Sequence, residues 1–173
     1  MVIWLTGISG AGKTTICNAI WDILKPSMPE LISIDGDIVR QLFAHKLGYT
    51  EPDRVQQVKR IQTLAKFLSD QDQTVLVAAL YAHDDLLNWN RENFKNYFEV
   101  YIDAPLSLVQ ARDPKGLYAN AGPLPQIVGI DVPWHVPKTP DMIIKANNDD
   151  APSDVAKEII AKIPMFADIE LKA

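Results

Sequence analysis

The first residues with types and spacing suited to chemistry form a glycine-rich run. Residues 7–14 read GISGAGKT, a full match to the pattern G-x-x-x-x-G-K-[ST]. Glycines let the backbone curl so that successive N–H groups point at phosphate oxygens, and the helix that follows directs its positive end to the same place. Lys13 is then expected to reach the β- and γ-phosphates of a nucleotide and the Thr14 hydroxyl to bind Mg²⁺. The alternative is a glycine-rich turn that binds nothing. The run predicts an ATP and Mg²⁺ site formed by Gly7, Ser9, Gly10, Ala11, Gly12, Lys13, Thr14 and Thr15.

A second candidate is the pair of carboxylates in the Asp35-Gly36-Asp37 turn, directly after an apolar run. Ligands of open α/β sheets lie outside the carboxyl ends of the strands, so this turn is expected beside the phosphates. One carboxylate can accept the proton of an attacking hydroxyl, and the other can orient that hydroxyl or help to hold Mg²⁺. We assign Asp35 to the metal with Thr14, and leave the base open between Asp35 and Asp37. The alternative is a capped turn without chemistry, since Asp favours both turns and helix starts.

Net charge, cysteine content and the length of apolar runs argue against several kinds of partner and site. The formal net charge is −5, which argues against nucleic-acid polymers and anionic membranes as partners. A small anionic ligand needs only a local group of cations. The single cysteine, Cys17, argues against a disulfide framework and a cysteine zinc site, and favours the cytoplasm. No apolar run is long enough for a transmembrane helix, and the apolar start runs straight into the glycine loop, unlike a signal peptide.

The elements that must position these residues alternate between strand and helix. The pattern predicts strands at 2–6, 31–34, 74–79, 98–102 and 141–145, and helices at 13–24, 37–44, 51–68, 84–95, 106–111 and 152–163. Such alternation indicates an α/β fold with one doubly wound, mostly parallel sheet. Residues 113–140 contain six of the twelve prolines and show no periodicity, which is typical of a functional loop or lid. We expect a single domain over 1–173.

Together, these motifs resemble those of the adenylylsulfate (APS) kinases. The matching segments are IWLTGISGAGKTT at 3–15, IDGDIVR at 34–40, RDPKGLY at 112–118 and GIDVP at 129–133. Asp53, Arg54 and Arg60 also match family positions on the third helix. The resemblance implies an ATP-dependent kinase acting on the ribose 3′-hydroxyl of adenylylsulfate. It also implies a P-loop kinase fold with five parallel strands, a lid at about 113–138, and commonly a homodimer.

The resemblance also implies roles for individual residues. Arg112 and Lys115 would close over the transferring phosphoryl group, Arg112 would also contact ATP, and Lys13, Asp35 and Asp37 would complete the catalytic set. The residues implied to bind the acceptor nucleotide are Asp37, Arg40, Tyr49, Arg54, Gln57, Arg60, Leu80, Arg91, Lys115, Gly116, Leu117 and Ile127.

Departures from the family pattern concentrate on the acceptor side. The family I-S-P-Y motif is LYAH at 80–83, with Tyr81 in place of the serine, and the family asparagine on the third helix is Gln57. One of two aromatic rings that enclose the adenine is Tyr49, but the other position is Ile127. Stacking of a base on an aromatic ring is worth about 1–3 kcal/mol, so a weaker preference for adenine is expected.

Three functions remain open at this point. The first is an APS kinase, and the second is a related kinase for another nucleotide, such as cytidine diphosphoramidate. The third is a non-catalytic nucleotide-binding module. Retention of Lys13 and both aspartates argues against the third, because a module that only binds has no use for paired carboxylates.

Overall fold

A five-stranded parallel sheet forms the centre of the molecule. The computed structural model describes residues 1–113, 116, 126–147 and 149–167. The strands are β1 (Val2–Thr6), β2 (Leu31–Asp35), β3 (Thr74–Ala79), β4 (Tyr97–Asp103) and β5 (Met142–Lys145). Their spatial order is β2-β3-β1-β4-β5, and every neighbouring pair is parallel. The predicted doubly wound parallel sheet is therefore confirmed.

The helices follow the strands as predicted, with small differences at their ends. They are α1 (Lys13–Leu24), α2 (Gly36–Leu42), α3 (Glu51–Ser69), α4 (Asp84–Asn93), α5 (Leu106–Arg112) and α6 (Pro152–Lys162), followed by a 3₁₀ turn, Pro164–Phe166. Helices α2 and α4 were predicted to run two residues further. Each ends instead at a phenylalanine, Phe43 or Phe94, whose backbone is extended. Phe94 is buried and stacks on Tyr97, so packing of the ring ends α4.

Two apolar cores cover the two faces of the sheet. Alternate residues of β1 point to opposite faces, as the pleat requires. Ile3 and Leu5 pack with α1, α5 and α6, whereas Val2 and Trp4 pack with α2, α3 and α4. Both faces of the central strands are therefore buried, which explains their continuous apolar sequences. Among the described residues, no helix has the length and apolar character needed to cross a membrane.

The carboxyl edge of the sheet collects the polar segments. The glycine loop follows β1, the aspartate turn follows β2, residues 80–83 follow β3, and Asn147 comes shortly after β5. Because all five strands are parallel, these segments meet along one edge. The fold thus brings the glycine loop and the aspartate turn to one place.

Candidate active site

The glycine loop joins β1 to α1 in the strand–loop–helix context that phosphate binding needs. Gly12 has φ = 99° and precedes the first residue of α1, so a residue with a side chain would be strained there. At Gly7 a Cβ atom would lie 2.6 Å from the carbonyl oxygen of Ile102. Strand β4 therefore packs directly against the loop backbone. The N-terminal turn of α1 has no acidic side chain, which leaves its positive end suited to an anion.

Lys13 is held over this loop. Its Nζ donates hydrogen bonds to the carbonyl oxygens of Gly7 and Ile8, each at 2.8 Å, and its side chain is buried. Hydrogen bonds to backbone carbonyls fix the position of the ammonium group without neutralising its charge. The loop thus presents a positioned cation together with its N–H groups.

The aspartate turn reaches the same loop through Asp35. The Thr14 hydroxyl donates to Asp35 Oδ2 at 2.7 Å, while Oδ1 accepts from the backbone N–H groups of Asp37 and Ile38. Asp35 is therefore both the N-cap of α2 and a neighbour of the threonine hydroxyl, so the capping and functional interpretations of this turn are compatible. Asp37 lies on the exposed side of the first turn of α2.

A hydroxyl and a carboxylate at this distance fit Mg²⁺. The ion prefers oxygen ligands, and protein sites commonly supply one or two of them while substrate phosphates and water supply the rest. No group of three or more His, Cys, Asp or Glu side chains suited to a metal occurs in the described part of the chain. Thr14 and Asp35 are thus the residues that would hold the ion beside the nucleotide phosphates.

One cavity of about 1200 Å³ extends from the phosphate loop to α3. Most of the predicted site residues line it. The lining residues among them are Ser9, Gly10, Ala11, Gly12, Lys13, Thr14, Thr15, Asp35, Asp37, Arg40, Tyr49, Arg54, Gln57, Leu80, Arg112, Gly116 and Ile127. The volume exceeds the upper end of the range, about 300–1,000 Å³, typical of small-molecule sites. Such a space suits two substrates bound at the same time.

Two arginines and a tyrosine form the cationic wall at the α3 end. The guanidinium of Arg40 lies over the Tyr49 ring, 4.7 Å from its centroid, and that of Arg54 lies 5.6 Å from it. Arg54 also donates to the carbonyl oxygens of Tyr49 and Gln126, which ties α3 to the segment after residue 125. Burial, followed by the nearby charge of Arg40, lowers the pKa of Arg54. The positive charges of Arg40 and Arg54 repel each other, and an anion bound between them would relieve that repulsion. The pair therefore favours an anionic ligand.

An adjoining part of the cavity lining is largely apolar and contains the residues that depart from the family. Leu80, Tyr81 and Ile127 line the cavity. Gln57 joins them from α3, only 5% exposed, and its Nε2 donates to the carbonyl oxygen of Gly36 at 3.0 Å. The cavity lining thus contains the exposed ring of Tyr49 and the aliphatic side chain of Ile127.

Tyr81, His83 and His135 form one cluster with Glu51 next to this part of the lining. The Tyr81 hydroxyl donates to Glu51 Oε1 at 2.7 Å, and His135 Nε2 lies 3.8 Å from the same oxygen. The His135 ring packs edge-on against Tyr81 and His83. The hydrogen bond from Tyr81 is the largest cause of a lowered pKa at Glu51, while burial raises the pKa of Tyr81. Tyr81 and His83, which replace residues of the family I-S-P-Y motif, are thus both in contact with His135.

Two predicted acceptor contacts lie apart from the cavity. Arg60 stacks on the Phe43 ring at 4.4 Å and donates to the His45 carbonyl, and it is not among the lining residues. Arg91 pairs with Glu99 at 3.4 Å and Asp141 at 3.3 Å. Both acids lie near the amino ends of β4 and β5, whereas the cavity opens at the carboxyl edge. The geometry thus offers no support for an acceptor contact at Arg91. Lys115 and Leu117 lie outside the described residues, as does most of the predicted lid.

The sequence analysis missed the part of the cavity that is lined by the segment after β5 and the start of α6. Asn147, Asp150, Pro152 and Val155 line it there, and Arg112 donates to the carbonyl oxygen of Asn147. Arg112 thereby connects α5 to the segment after β5. The signal was available, because residues directly after a parallel strand are expected at the ligand-binding edge. No phosphate-binding or acid–base motif marks this segment, so the sequence alone did not predict it as part of the site.

This chain is similar to known proteins both in sequence and in fold. Residues 1–145 match the family model described as adenylylsulphate kinase. The chain belongs to this family. An adenylyl-sulfate kinase of Deinococcus deserti is 38% identical over 148 residues, covering 84% of this chain and 82% of that protein. A cytidine diphosphoramidate kinase of Campylobacter jejuni is 36% identical over 145 residues, covering 83% and 84%.

The fold is also similar to that of a solved structure. The Mycobacterium tuberculosis APS kinase in complex with AMPPNP and APS superposes with a TM-score of 0.83 at 31% identity, covering 93% of this chain and 95% of that one. Like other adenylylsulphate kinases, this chain is a phosphotransferase that uses ATP with Mg²⁺ and an alcohol group as acceptor. The cavity geometry described above is consistent with that chemistry.

Proposed function

We propose that this adenylylsulphate kinase transfers the γ-phosphoryl group of ATP to the ribose 3′-hydroxyl of a nucleotide with an anionic 5′ tail, with adenylylsulfate as the first candidate. The observation that carries the proposal is the single cavity that runs from Lys13 to the Arg40–Arg54 pair. ATP phosphates fit the loop end, and a phosphosulfate or diphosphate-like tail fits the arginine pair. The aspartate turn lies between the two ends.

The residues of the turn suggest how the proton moves. Both carboxylate oxygens of Asp35 are engaged, one by the Thr14 hydroxyl and the other by the N–H groups that start α2. Asp35 therefore suits metal binding and positioning. Asp37, on the cavity side of the same turn, suits the role of proton acceptor. The hydroxyl oxygen forms a bond to the γ-phosphorus, the bond to the β,γ-bridging oxygen breaks, the proton passes to the carboxylate, and ADP leaves.

The cations that line the cavity serve the same transfer. We propose that Lys13 and Arg112, which both line the cavity, neutralise the charge that spreads over the phosphoryl oxygens during transfer. We propose that Lys115 and a lid over about 113–138 add to this by excluding water. Transfer is then a matter of positioning and charge stabilisation, since the chain needs no covalent intermediate.

A second acceptor has specific support. The cytidine diphosphoramidate kinase of Campylobacter jejuni is nearly as similar to this chain as the adenylyl-sulfate kinases are. The cavity wall also has Ile127 where a second ring would complete an adenine sandwich. We therefore propose a weaker preference for adenine than is usual for this family, with cytidine diphosphoramidate as the alternative acceptor.

The deciding experiment is ATP turnover with a panel of acceptors. ADP formation and the phosphorylated product should be measured with adenylylsulfate, cytidine diphosphoramidate and cytidine diphosphate, with no acceptor as the control. We expect turnover with at least one of the first two that exceeds the control by orders of magnitude. Strong and exclusive use of adenylylsulfate would contradict the altered-pocket argument. No acceptor-dependent turnover would overturn the proposal as a whole.

We also propose that the chain acts as a single kinase domain in the cytoplasm and forms a homodimer. Support for a dimer comes from Ile38 and Leu42, one helical turn apart on α2 and 59% and 71% exposed. Two adjacent apolar side chains of this kind favour an interface. Light scattering coupled to gel filtration would show a mass near twice that of one chain. A single-chain mass at micromolar concentration would contradict the dimer.

A further inference from the structure

The segment 126–135 contacts helix α3 at both of its ends. At the first residue of the segment, the backbone carbonyl oxygen accepts from Arg54, and at the other end His135 Nε2 lies 3.8 Å from Glu51 Oε1. Between these points the segment folds on itself, because the carbonyl oxygen of Ile127 accepts from three backbone N–H groups. Ile127 also lines the cavity. The two contacts with α3 therefore set the position of this part of the cavity lining.

The contact between His135 and Glu51 is incomplete. A distance of 3.8 Å is longer than an N–H···O hydrogen bond, which spans about 2.7–3.2 Å. His135 Nε2 is buried and has no hydrogen-bond partner among the described residues, although the side chain as a whole is 35% exposed and can exchange protons with water. Buried polar atoms are nearly always paired, so an unpaired nitrogen beside a carboxylate points to a second, closer arrangement of the two groups.

The Glu51 carboxylate is ionised and fixed in place. Its Oε1 accepts from the Tyr81 hydroxyl at 2.7 Å, and that hydrogen bond is the largest cause of a lowered pKa at Glu51. Tyr81 is 2% exposed, so packing holds the donor. A carboxylate that keeps its charge favours a proton on a nearby imidazole. Histidine is also the side chain whose charge normally changes between about pH 5 and 8.

The other charged and titratable groups around His135 leave it as the imidazole that gains charge. The His83 ring lies 4.9 Å away between centroids, but its Nδ1 accepts from the backbone N–H of Asp85 at 3.3 Å. This hydrogen bond assigns an unprotonated Nδ1, and hence a neutral ring, to His83. The Asp85 carboxylate is 89% exposed and screened by water. Asp84 pairs with Lys138, so these two charges offset each other.

We propose that His135 is a positioning residue for the phosphoryl acceptor: its protonation completes a hydrogen-bonded ion pair with Glu51 and fixes the segment 126–135 against α3. The effect on the acceptor rests on the proposed function. When the pair is formed, the lining at Ile127 is ordered before the acceptor binds. When it is open, the acceptor must order the segment itself and binds more weakly. The pair is complete at low pH and is lost as the imidazole loses its proton, so acceptor affinity should fall as the pH rises.

Equilibrium binding of adenylylsulfate to the unaltered protein measures this effect. The phosphosulfate tail does not change its charge near neutral pH, and a non-hydrolysable ATP analogue keeps the donor site filled. We expect the Kd of adenylylsulfate to be about fivefold or more lower at pH 6 than at pH 8, the lower end of the coupling usual between two linked sites. By the same linkage, binding near pH 7 should take up a fraction of a proton. Calorimetry in buffers of different ionisation enthalpy would measure that uptake.

Two variants test whether the pair causes the pH dependence. His135→Gln removes the titrating group, whereas Glu51→Gln removes the charge and keeps an oxygen that can accept from Tyr81. Each variant should make the Kd independent of pH and abolish the proton uptake. The matched controls are His45→Gln and Glu92→Gln, because both residues are exposed and neither lines the cavity. Both controls should keep the pH dependence of the unaltered protein.

The free protein allows a second measurement that does not depend on the kinase reaction. The amide NMR resonances of Val128, Gly129 and Val132 should shift together in one protonation step between about pH 5.5 and 8, and His135→Gln should remove that step. This step without any binding of adenylylsulfate would support the ion pair and refute adenylylsulfate as the acceptor.

Three results would overturn the inference. One is the absence of the amide step in the unaltered protein, a measurement that needs no variant to fold. Another is an adenylylsulfate Kd that is equal at pH 6 and pH 8, which would reduce His135 to a packing residue. The third is a pH-dependent Kd that persists in both His135→Gln and Glu51→Gln.

Discussion

The two ends of the cavity are built in different ways. The phosphate end comes from nine consecutive residues, 7–15, and one neighbouring turn, and its groups are mostly backbone N–H and carbonyl groups. The acceptor end comes from side chains on α2, on α3 and after β3, together with the segment that contains Ile127. The first depends on local backbone conformation and tolerates little change. The acceptor end depends on individual side chains that can be exchanged one at a time. This chain departs from its family at that end.

The largest expected effect is at the phosphate end. Lys13→Ala should lower turnover by about a thousandfold or more, because it removes the cation that the loop holds at the β- and γ-phosphates. Steady-state kinetics with saturating acceptor would measure it. Lys59→Ala is a suitable control, since Lys59 is exposed on α3 and is not a lining residue. Near-normal turnover of Lys13→Ala would refute the assignment of the loop.

The aspartate turn should show the next largest effect, about a hundredfold on kcat for Asp35→Asn and for Asp37→Asn. ATP affinity should change far less, because the proposed work of both groups is in the transition state. Asparagine caps helices about as well as aspartate, so Asp35→Asn should keep the unfolding temperature. The exposed Asp85 on α4 gives the control Asp85→Asn. If both turn variants keep full turnover, the turn is only a helix cap.

A comparison of two arginines tests where the acceptor lies. Arg54→Ala should raise the KM for the acceptor by about ten- to a hundredfold, as expected for loss of a hydrogen bond to a charged group worth about 1.5–3 kcal/mol. Arg91→Ala should leave that KM unchanged and instead lower the unfolding temperature, because Glu99 is 1% exposed and would lose its cation. An acceptor KM that responds to Arg91→Ala but not to Arg54→Ala would reverse our placement of the acceptor.

The smallest effect concerns the base. Ile127→Phe adds a second ring to the cavity lining besides Tyr49, and it should shift the ratio of kcat/KM for adenine over cytosine acceptors by about tenfold towards adenine. Ile130→Phe is the matched control, because Ile130 is 50% exposed in the same segment and does not line the cavity. An equal shift in both variants would show that the ring acts on the segment as a whole rather than by stacking.

By itself, the sequence determined the features that depend on neighbours along the chain. The central buried strands read as continuous apolar runs, and helices α2, α3 and α4 start after the capping residues Asp35, Thr50 and His83, so the elements were predictable to within a few residues. The phosphate loop needs glycines at fixed spacing, and the aspartate turn needs two carboxylates beside a strand end. Both are local requirements, and both were recognised from the residues alone.

Only the tertiary structure decided the features that depend on distant residues. It placed Arg91 beside Glu99, near the amino edge of the sheet, although the residue type suited an anionic substrate. It brought Asn147 to the cavity although no motif marked it, and it joined Tyr81, His83 and His135 to Glu51. It also buried one oxygen of Gln57 without a hydrogen-bond partner among the described residues. The physical reason is the same in each case: whether a charged or polar group serves a ligand depends on which partners remain after packing, and packing is not a local property of the chain.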